Sequence, residues 1–159
     1  MDAIRLQRIA RWFRMRHIRI IPGVITKYIH FRYNCDIQPM TEIGRGTTLG
    51  HGGIGVVINS KAKIGRNCIL AQNVTLAGKD GGVPVLNDWC YIGANSVIIG
   101  GVTLGKNVFV GALSLVNKDV PDNAIVAGIP AKILRIRSQE EINDWHTWVL
   151  SHGGICIDE

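Results

Sequence analysis

Through the middle of the chain an aliphatic residue returns every six positions: Ile37, Ile43 and Leu49, then Ile58, Ile64, Leu70 and Leu76, then Leu86, Ile92, Ile98, Leu104, Val110 and Val116. The beat slips twice, by three residues between Leu49 and Ile58 and by four between Leu76 and Leu86. The residue after each aliphatic is usually Gly, Ala or Asn, as at Gly44, Asn59, Ala71 and Gly105. The fourth residue after it is small or β-branched, as at Ala62, Cys68, Val74 and Ser96. A helix of 3.6 residues per turn cannot hold a six-residue register. A short fixed period carried this far is the mark of a parallel β-helix. Each hexad supplies a short strand with its aliphatic inward, then a corner where Gly and Asn tolerate positive φ. Three hexads close one triangular coil, and coils stack about 4.8 Å apart. The pattern predicts an all-β solenoid over residues 35–134, and its two slips are the places where a pocket can form.

The flanks read differently. Residues 1–34 form a basic helical segment that the sequence divides at Pro22. Leu6, Ile9, Ala10 and Phe13 share one helical face among arginines, and the stretch from Val24 to Tyr33 is apolar and aromatic. Residues 135–159 read as a C-terminal helix and tail, opened by a capping box from Ser138 to Glu141 and carrying Ile142, Trp145 and Val149 on one face. The first two helices are expected on the first coil or on a neighbouring subunit, and the last helix on the last coil, covering open strand edges.

Composition sharpens this picture in three places. At 159 residues and 47% hydrophobic, the chain makes one domain with short appendages. Its net charge of +6 is concentrated: residues 1–34 hold eight Lys and Arg against Asp2 alone, while the remainder is close to neutral. No nucleic-acid-binding motif accompanies that charge, so nucleic acid is not an expected partner. Attachment to anionic lipid through the arginine face is the sharper alternative to simple packing. No apolar run reaches bilayer length, and arginines interrupt the N-terminus where a secretory signal needs an unbroken apolar core. Cys35, Cys68, Cys90 and Cys156 form no C-x-x-C pair. Cys68 and Cys90 fall on small inward positions and are expected as buried free thiols, which suits a reducing cytoplasm.

The candidate chemistry lies at the first slip. Asp36 and His51 stand fifteen residues apart, three short of a full coil, which puts them on adjacent coils about half a side apart. His51 sits among Gly50, Gly52, Gly53 and Gly55, where bare backbone leaves room for a ligand. Imidazole titrates near neutrality and can take the proton of an attacking hydroxyl. A lone histidine can equally be structural, and spacing alone leaves both readings open.

Four features are shared with one family: the hexads, the Asp36…His51 spacing with G-V-V-I-N at 55–59, the break at 78–84, and V-P-D-N-A-I-V-A-G-I-P-A-K-I at 120–133. Over residues 34–135 the chain resembles the left-handed β-helix, or hexapeptide-repeat, acyltransferases. The nearest branch is the serine O-acetyltransferase family with its short relatives in polysaccharide biosynthesis. The resemblance implies left-handed coils, a homotrimer with sites in grooves between neighbouring coils, and acetyl-CoA as co-substrate, with no metal expected. His51 would be the general base, and Asp36 would hold the ring tautomer and stabilise the imidazolium. A backbone N–H of the glycine-rich break would face the oxyanion. For CoA it points to Gly78, to Gly93 and Ala94, and to Gly111 and Ala112, where missing side chains let the pantetheine arm lie on the backbone. Lys118 and Lys132 would meet the nucleotide phosphates.

Departures from the family pattern bear on the acceptor. Gly50 stands where Asp usually precedes the catalytic histidine, Gly82 and Val83 replace Arg-His before Pro84, and Asn59 and Ser60 replace an acidic residue. Those groups would hold a zwitterionic amino acid, so the expectation is O-acetylation of a saccharide or glycan precursor. Serine O-acetylation is the alternative, followed by a sugar-amine N-acetyltransferase or a non-catalytic hexapeptide scaffold. A zinc carbonic anhydrase of this fold would need three histidines within the coils, and His51 is the only one there. The expected location is cytoplasmic, with the inner face of the membrane as a possible site of contact.

Overall fold

The structure, a computed structural model, describes residues 2–155; Cys156 and the remainder of the expected tail lie outside the described residues. Every aliphatic of the six-residue beat lies in a strand. Three parallel sheets form the sides of a solenoid of four full coils and part of a fifth. The first sheet holds β1 (Asp36–Ile37), β4 (Val57–Ile58), β7 (Thr75–Ala77), β10 (Val97–Ile99) and β13 (Leu115–Val116). The second holds β2 (Glu42–Ile43), β5 (Lys63–Ile64), β8 (Val85–Leu86) and β11 (Thr103–Leu104). The third holds β3 (Thr48–Leu49), β6 (Ile69–Leu70), β9 (Tyr91–Ile92), β12 (Phe109–Val110), β14 (Ala124–Gly128) and β15 (Ala131–Ile136).

The registers stack equivalent positions: Ile37, Ile58, Leu76, Ile98 and Val116 lie in one column of the first sheet. These aliphatics are buried; only Ile43 and Leu49, in the first coil, are half-buried. The fourth-position residues, Cys68, Val74, Cys90, Ser96 and Val108 among them, make a second buried column. Cys68 and Cys90 are buried free thiols whose S–H groups donate to the carbonyls of Asn87 (3.1 Å) and Gly105 (3.2 Å).

The three edges of the prism differ. Between the second and third sheets the corner repeats without interruption, through Gly46, Asn67, Trp89, Asn107 and Asn123, all with positive φ. Each of the last four donates its N–H to the coil before it. Between the third and first sheets the column Asn34, Gly55, Asn73, Asn95 and Leu113 does the same, but takes up the three-residue slip. Between the first and second sheets the four-residue slip becomes a hairpin. Lys79 and Gly82 exchange backbone hydrogen bonds of 2.9 Å around Asp80 and Gly81, both at positive φ. Asp-Gly is the preferred pair for such a turn.

The N-terminal segment is two helices, α1 (Ala3–Met15) and α2 (Ile20–Tyr33), resting on the first coil. The break falls at residues 16–19 and not at Pro22, which lies in the first turn of α2, where its missing N–H costs no helical bond. The packed face of α1 is Ala3, Ile4, Gln7 and Ala10, whereas Ile9 is exposed. The rotation is set by Gln7, whose Nε2 donates to the carbonyls of Gln38, Pro39 and Thr41 at 2.9–3.2 Å and satisfies a corner that the sheets leave open.

The C-terminal helix α3 (Gln139–Ser151) has the predicted capping box but not the expected seat. The last coil is extended by β15, antiparallel to β14. Helix α3 instead lies across the outside of the third sheet. Trp145 Nε1 donates to Trp89 O (2.9 Å), and its ring meets those of Tyr91 and Phe109 edge-on. His146 stacks on Trp89, with ring centroids 3.9 Å apart. The outward aromatics of β9 and β12 supply the apolar surface that draws the helix there.

Candidate active site

The three-residue slip is a 3-10 turn, Gly50–Gly53, that lifts His51 out of the regular coil between the third and first sheets. His51 has φ 50 and ψ 35, a left-handed conformation that costs a residue with a side chain about 1 kcal/mol. Regular corners of the solenoid share that conformation, so what sets His51 apart is the extra turn that carries it out of register. Backbone bonds seat the loop against the start of β1: Gly55 N–H donates to Asn34 O and Asp36 N–H to Val56 O, each at 2.8 Å. Gly53 has φ 90, which favours glycine, and a Cβ there would also press to 2.8 Å from Leu49 Cδ1.

His51 is exposed and Asp36 half-buried, and both stand at the same end of the first sheet. Among the described residues no hydrogen bond or ion pair joins them. The Asp36 carboxylate accepts instead from Gln38 Nε2 at 2.7 Å. Sequence reasoning missed Gln38; its one signal is the two-residue offset that puts it on the same outward face as Asp36. Cys35, beside Asp36, is buried, and burial together with the neighbouring Asp36 charge pushes its thiol up to about 11. It is protonated at neutral pH and is no nucleophile.

Along the same edge, beyond His51, the corner is a stack of small residues. Gly50 lies over Ala71, Gly93 over Gly111 and Ala112, and Gly111 over Ala127; added Cβ atoms would approach to 3.2, 2.5 and 2.9 Å. Lys132 pairs with Ala127 across β14 and β15, at the far end of this edge. The fold therefore gathers Gly93, Ala94, Gly111, Ala112 and Lys132 along the edge that begins with His51. Leu113, also here, has φ 57 and is 65% exposed, an unusual combination for a bulky apolar residue.

Gly78 and Lys118 are not brought to that edge. They lie on the first-to-second corner, with the first sheet between. Lys118 lines a groove of about 840 Å³ together with Lys79, Gly101 and Asp119. Gly78 closes a second groove of about 360 Å³ that runs from Asp36 and Gln38 past Val57 and Thr75. Among the described residues no group of three His, Cys, Asp or Glu gathers as a metal site.

A solenoid that raises one histidine at its first break, above an edge stripped of side chains, has the build of a hexapeptide-repeat acyltransferase. No protein-family model matches the chain. It is 35% identical over 147 residues to a serine acetyltransferase of Bacillus pumilus, covering 90% of this chain and 67% of that protein. It superposes with TM-score 0.77 on the serine acetyltransferase of Neisseria gonorrhoeae in complex with serine, at 33% identity over 82% of this chain and 54% of that one. With the enzyme of Brucella abortus in complex with coenzyme A the TM-score is 0.81, at 28% identity over 86% of this chain and 56% of that one. The chain belongs to the serine O-acetyltransferase family. It spans about half the length of most of the curated relatives it matches.

Proposed function

We propose that the chain transfers acetyl from acetyl-CoA to the hydroxyl of a small acceptor, with L-serine as that acceptor. The observation that carries the reading is His51, held in an exposed, out-of-register turn at the head of the small-residue edge. His51 takes the hydroxyl proton as the oxygen attacks the thioester carbonyl; the C–S bond then breaks, and His51 returns the proton to the leaving thiolate. Asp36 stabilises the imidazolium once it turns from Gln38 to His51. From His51 to Ala127 the edge crosses four coil spacings, roughly 19 Å, a length suited to an extended pantetheine arm on Gly93, Ala94, Gly111 and Ala112. Lys132 at its end would meet phosphate. The relatives support serine: they carry that activity in their names, and one was crystallised with serine.

A second reading keeps a saccharide as acceptor. It is favoured by the uncharged Gly50, Gly82 and Val83, and by a groove in which Asp36 is the sole charged lining residue described. Thiol release from acetyl-CoA, with L-serine against nucleotide sugars and oligosaccharides, separates the two. Turnover on serine alone supports the first reading, and turnover on a saccharide alone replaces it with the second.

The enzyme works as a homotrimer in this reading. Gly78 and Lys118 line the opposite corner from His51, so a second copy is needed to bring that corner against the His51 edge and wall the groove. Mass measurement of the native particle tests this; a monomer with full activity would refute it. Helix α2 exposes Ile20 (81%), Val24 (63%), Tyr28 (51%) and Phe31 (89%) along one stripe, within the strongly basic segment. Its occupant is an anionic lipid surface, at the cytoplasmic face of the membrane. No described helix is long and apolar enough to cross a bilayer. Co-sedimentation with anionic but not neutral vesicles is the expected result.

A further inference from the structure

The family's usual countercharges for an amino-acid acceptor are absent from the two breaks, yet three unpaired cations converge nearby. A cleft of about 490 Å³ opens between the N-terminal helices and the first-to-second corner of the first two coils. Arg14, Arg19 and Lys27 line it, with no acidic residue among its described walls. Among the described residues none of these three side chains has a hydrogen-bond or ion-pair partner, unlike Arg8 and Arg11, which are tied to the carbonyls of Gly44 and Met40. The cleft is continuous with the groove beside Asp36, because Gln38 and Ser60 line both. Gln38 is also the residue that holds the Asp36 carboxylate.

We propose that this cleft is the oxyanion-binding subsite of the acceptor, taking a carboxylate or a phosphoryl group on Arg14, Arg19 and Lys27. The inference rests on the acetyl-transfer reading for the word acceptor, but not for the binding. Three like charges held together without an anion repel one another, and a bound oxyanion relieves that repulsion through charge-assisted hydrogen bonds. The amide of Gln38 would then face an anion on one side and Asp36 on the other. An anion that draws the amide N–H toward itself releases the carboxylate that His51 requires. Recognition of the acceptor's negative group has thus moved from the second break to the helical pair. The cleft is also larger than one carboxylate needs, so it admits acceptors bulkier than serine.

The test uses the full chain and inorganic phosphate as probe. Phosphate binding is measured calorimetrically against chloride at equal ionic strength, in wild type and in the Arg14→Gln/Arg19→Gln variant. Both arginines are exposed and, among the described residues, unpaired, so the substitutions remove no contact that holds the fold. The expected result is saturable phosphate binding weakened about tenfold or more in the variant, the loss of two charge-assisted contacts. Binding unchanged by the substitutions, or no stronger than that of chloride, overturns the site whether or not the protein turns over acetyl-CoA. In the kinetic arm the variant raises KM for L-serine or for a phosphorylated hydroxyl acceptor while kcat holds, and a neutral acceptor is unaffected. Whichever anionic acceptor shows the larger rise identifies the source of the oxyanion. Phosphate that binds without competing with either acceptor removes the cleft from the acceptor site.

Discussion

The third sheet and the first sheet are built from the same hexads, but one is sealed and the other is left bare. On the third sheet the outward residues are Tyr91 and Phe109, stacked at 4.4 Å, and α3 lies over them with Trp145 and His146. The corner beside it runs without a break, and His146 Nε2 meets Asn107 Oδ1 at 2.7 Å. On the first sheet the outward column is Asp36, Val57, Thr75, Val97 and Leu115, with no helix lying across it among the described residues. Both slips of the repeat flank this bare sheet, one raising His51 and the other forming the hairpin at Asp80 and Gly81. A solenoid has no natural cavity, since its core lengthens without widening. Its binding features therefore appear where extra residues leave the register, and the unbroken edge is free to serve stability.

That contrast can be broken by substitution. Trp145→Ala removes the centre of the sealed face and should cost about 3 kcal/mol, seen as a lowered Tm with acetyl transfer retained; an unchanged Tm would mean that α3 does not seal the sheet. On the unbroken edge a Cβ at Gly65 would stand 2.6 Å from Asn87 C, 2.7 Å from Asp88 N and 2.6 Å from Asp88 Oδ1, and the two backbone atoms cannot swing aside as a side chain can. Gly65→Ala should destabilise by about 2 kcal/mol. At the hairpin nothing lies within 4 Å of a Cβ on Gly81, although its φ is 82. The same change there should cost only about 1 kcal/mol, the backbone preference alone. Equal losses in denaturant unfolding would erase the distinction between the edges.

Smaller effects come from titration. Arg135 donates to Glu141 at 2.7 Å, Ser138 N–H adds a second bond, and Glu141 is held at about 2 as a result. A depressed carboxylate stabilises the fold above its ordinary range, and that contribution fades as pH falls toward 2. Loosening of α3 on acidification should therefore be weaker in Glu141→Gln, as read by tryptophan fluorescence. The smallest expected signal is thiol reactivity. Cys35 sits near 11, and Cys90 is raised well above the usual thiol range by its contact with Cys68 and by burial. Neither should react with a thiol reagent at pH 8 until the chain unfolds. Because Cys35 is raised, its stabilising contribution is whole below the ordinary thiol range and is lost as pH rises toward 11.

Much of this was legible beforehand because the repeat is a local code. Each aliphatic from Ile37 to Val116 marks the inward residue of a strand, and the slip at His51 is visible as a miscount. The second slip reads only as a break at 78–84; its hairpin emerges with the Lys79–Gly82 backbone bonds, although Asp80-Gly81 carries the turn signal. The rest depends on tertiary contacts that no period carries. Pro22 reads as a break, yet the first turn of a helix accepts it. Gln7 decides which face of α1 packs, by finding carbonyls more than thirty residues away. Gln38 reads as one more polar corner residue until its amide is seen on Asp36. Seven expected donor and site glycines, alanines and lysines looked equivalent in sequence, but the prism divides them between two edges.

If His51 is the base for acetyl transfer, His51→Ala must all but abolish turnover while leaving the fold intact. Steady-state thiol release from acetyl-CoA with L-serine should fall by about a thousandfold in kcat, the scale of a lost general base, with Tm and particle mass unchanged. A variant that folds, assembles and keeps its rate would contradict the account and leave the extra turn without a catalytic purpose.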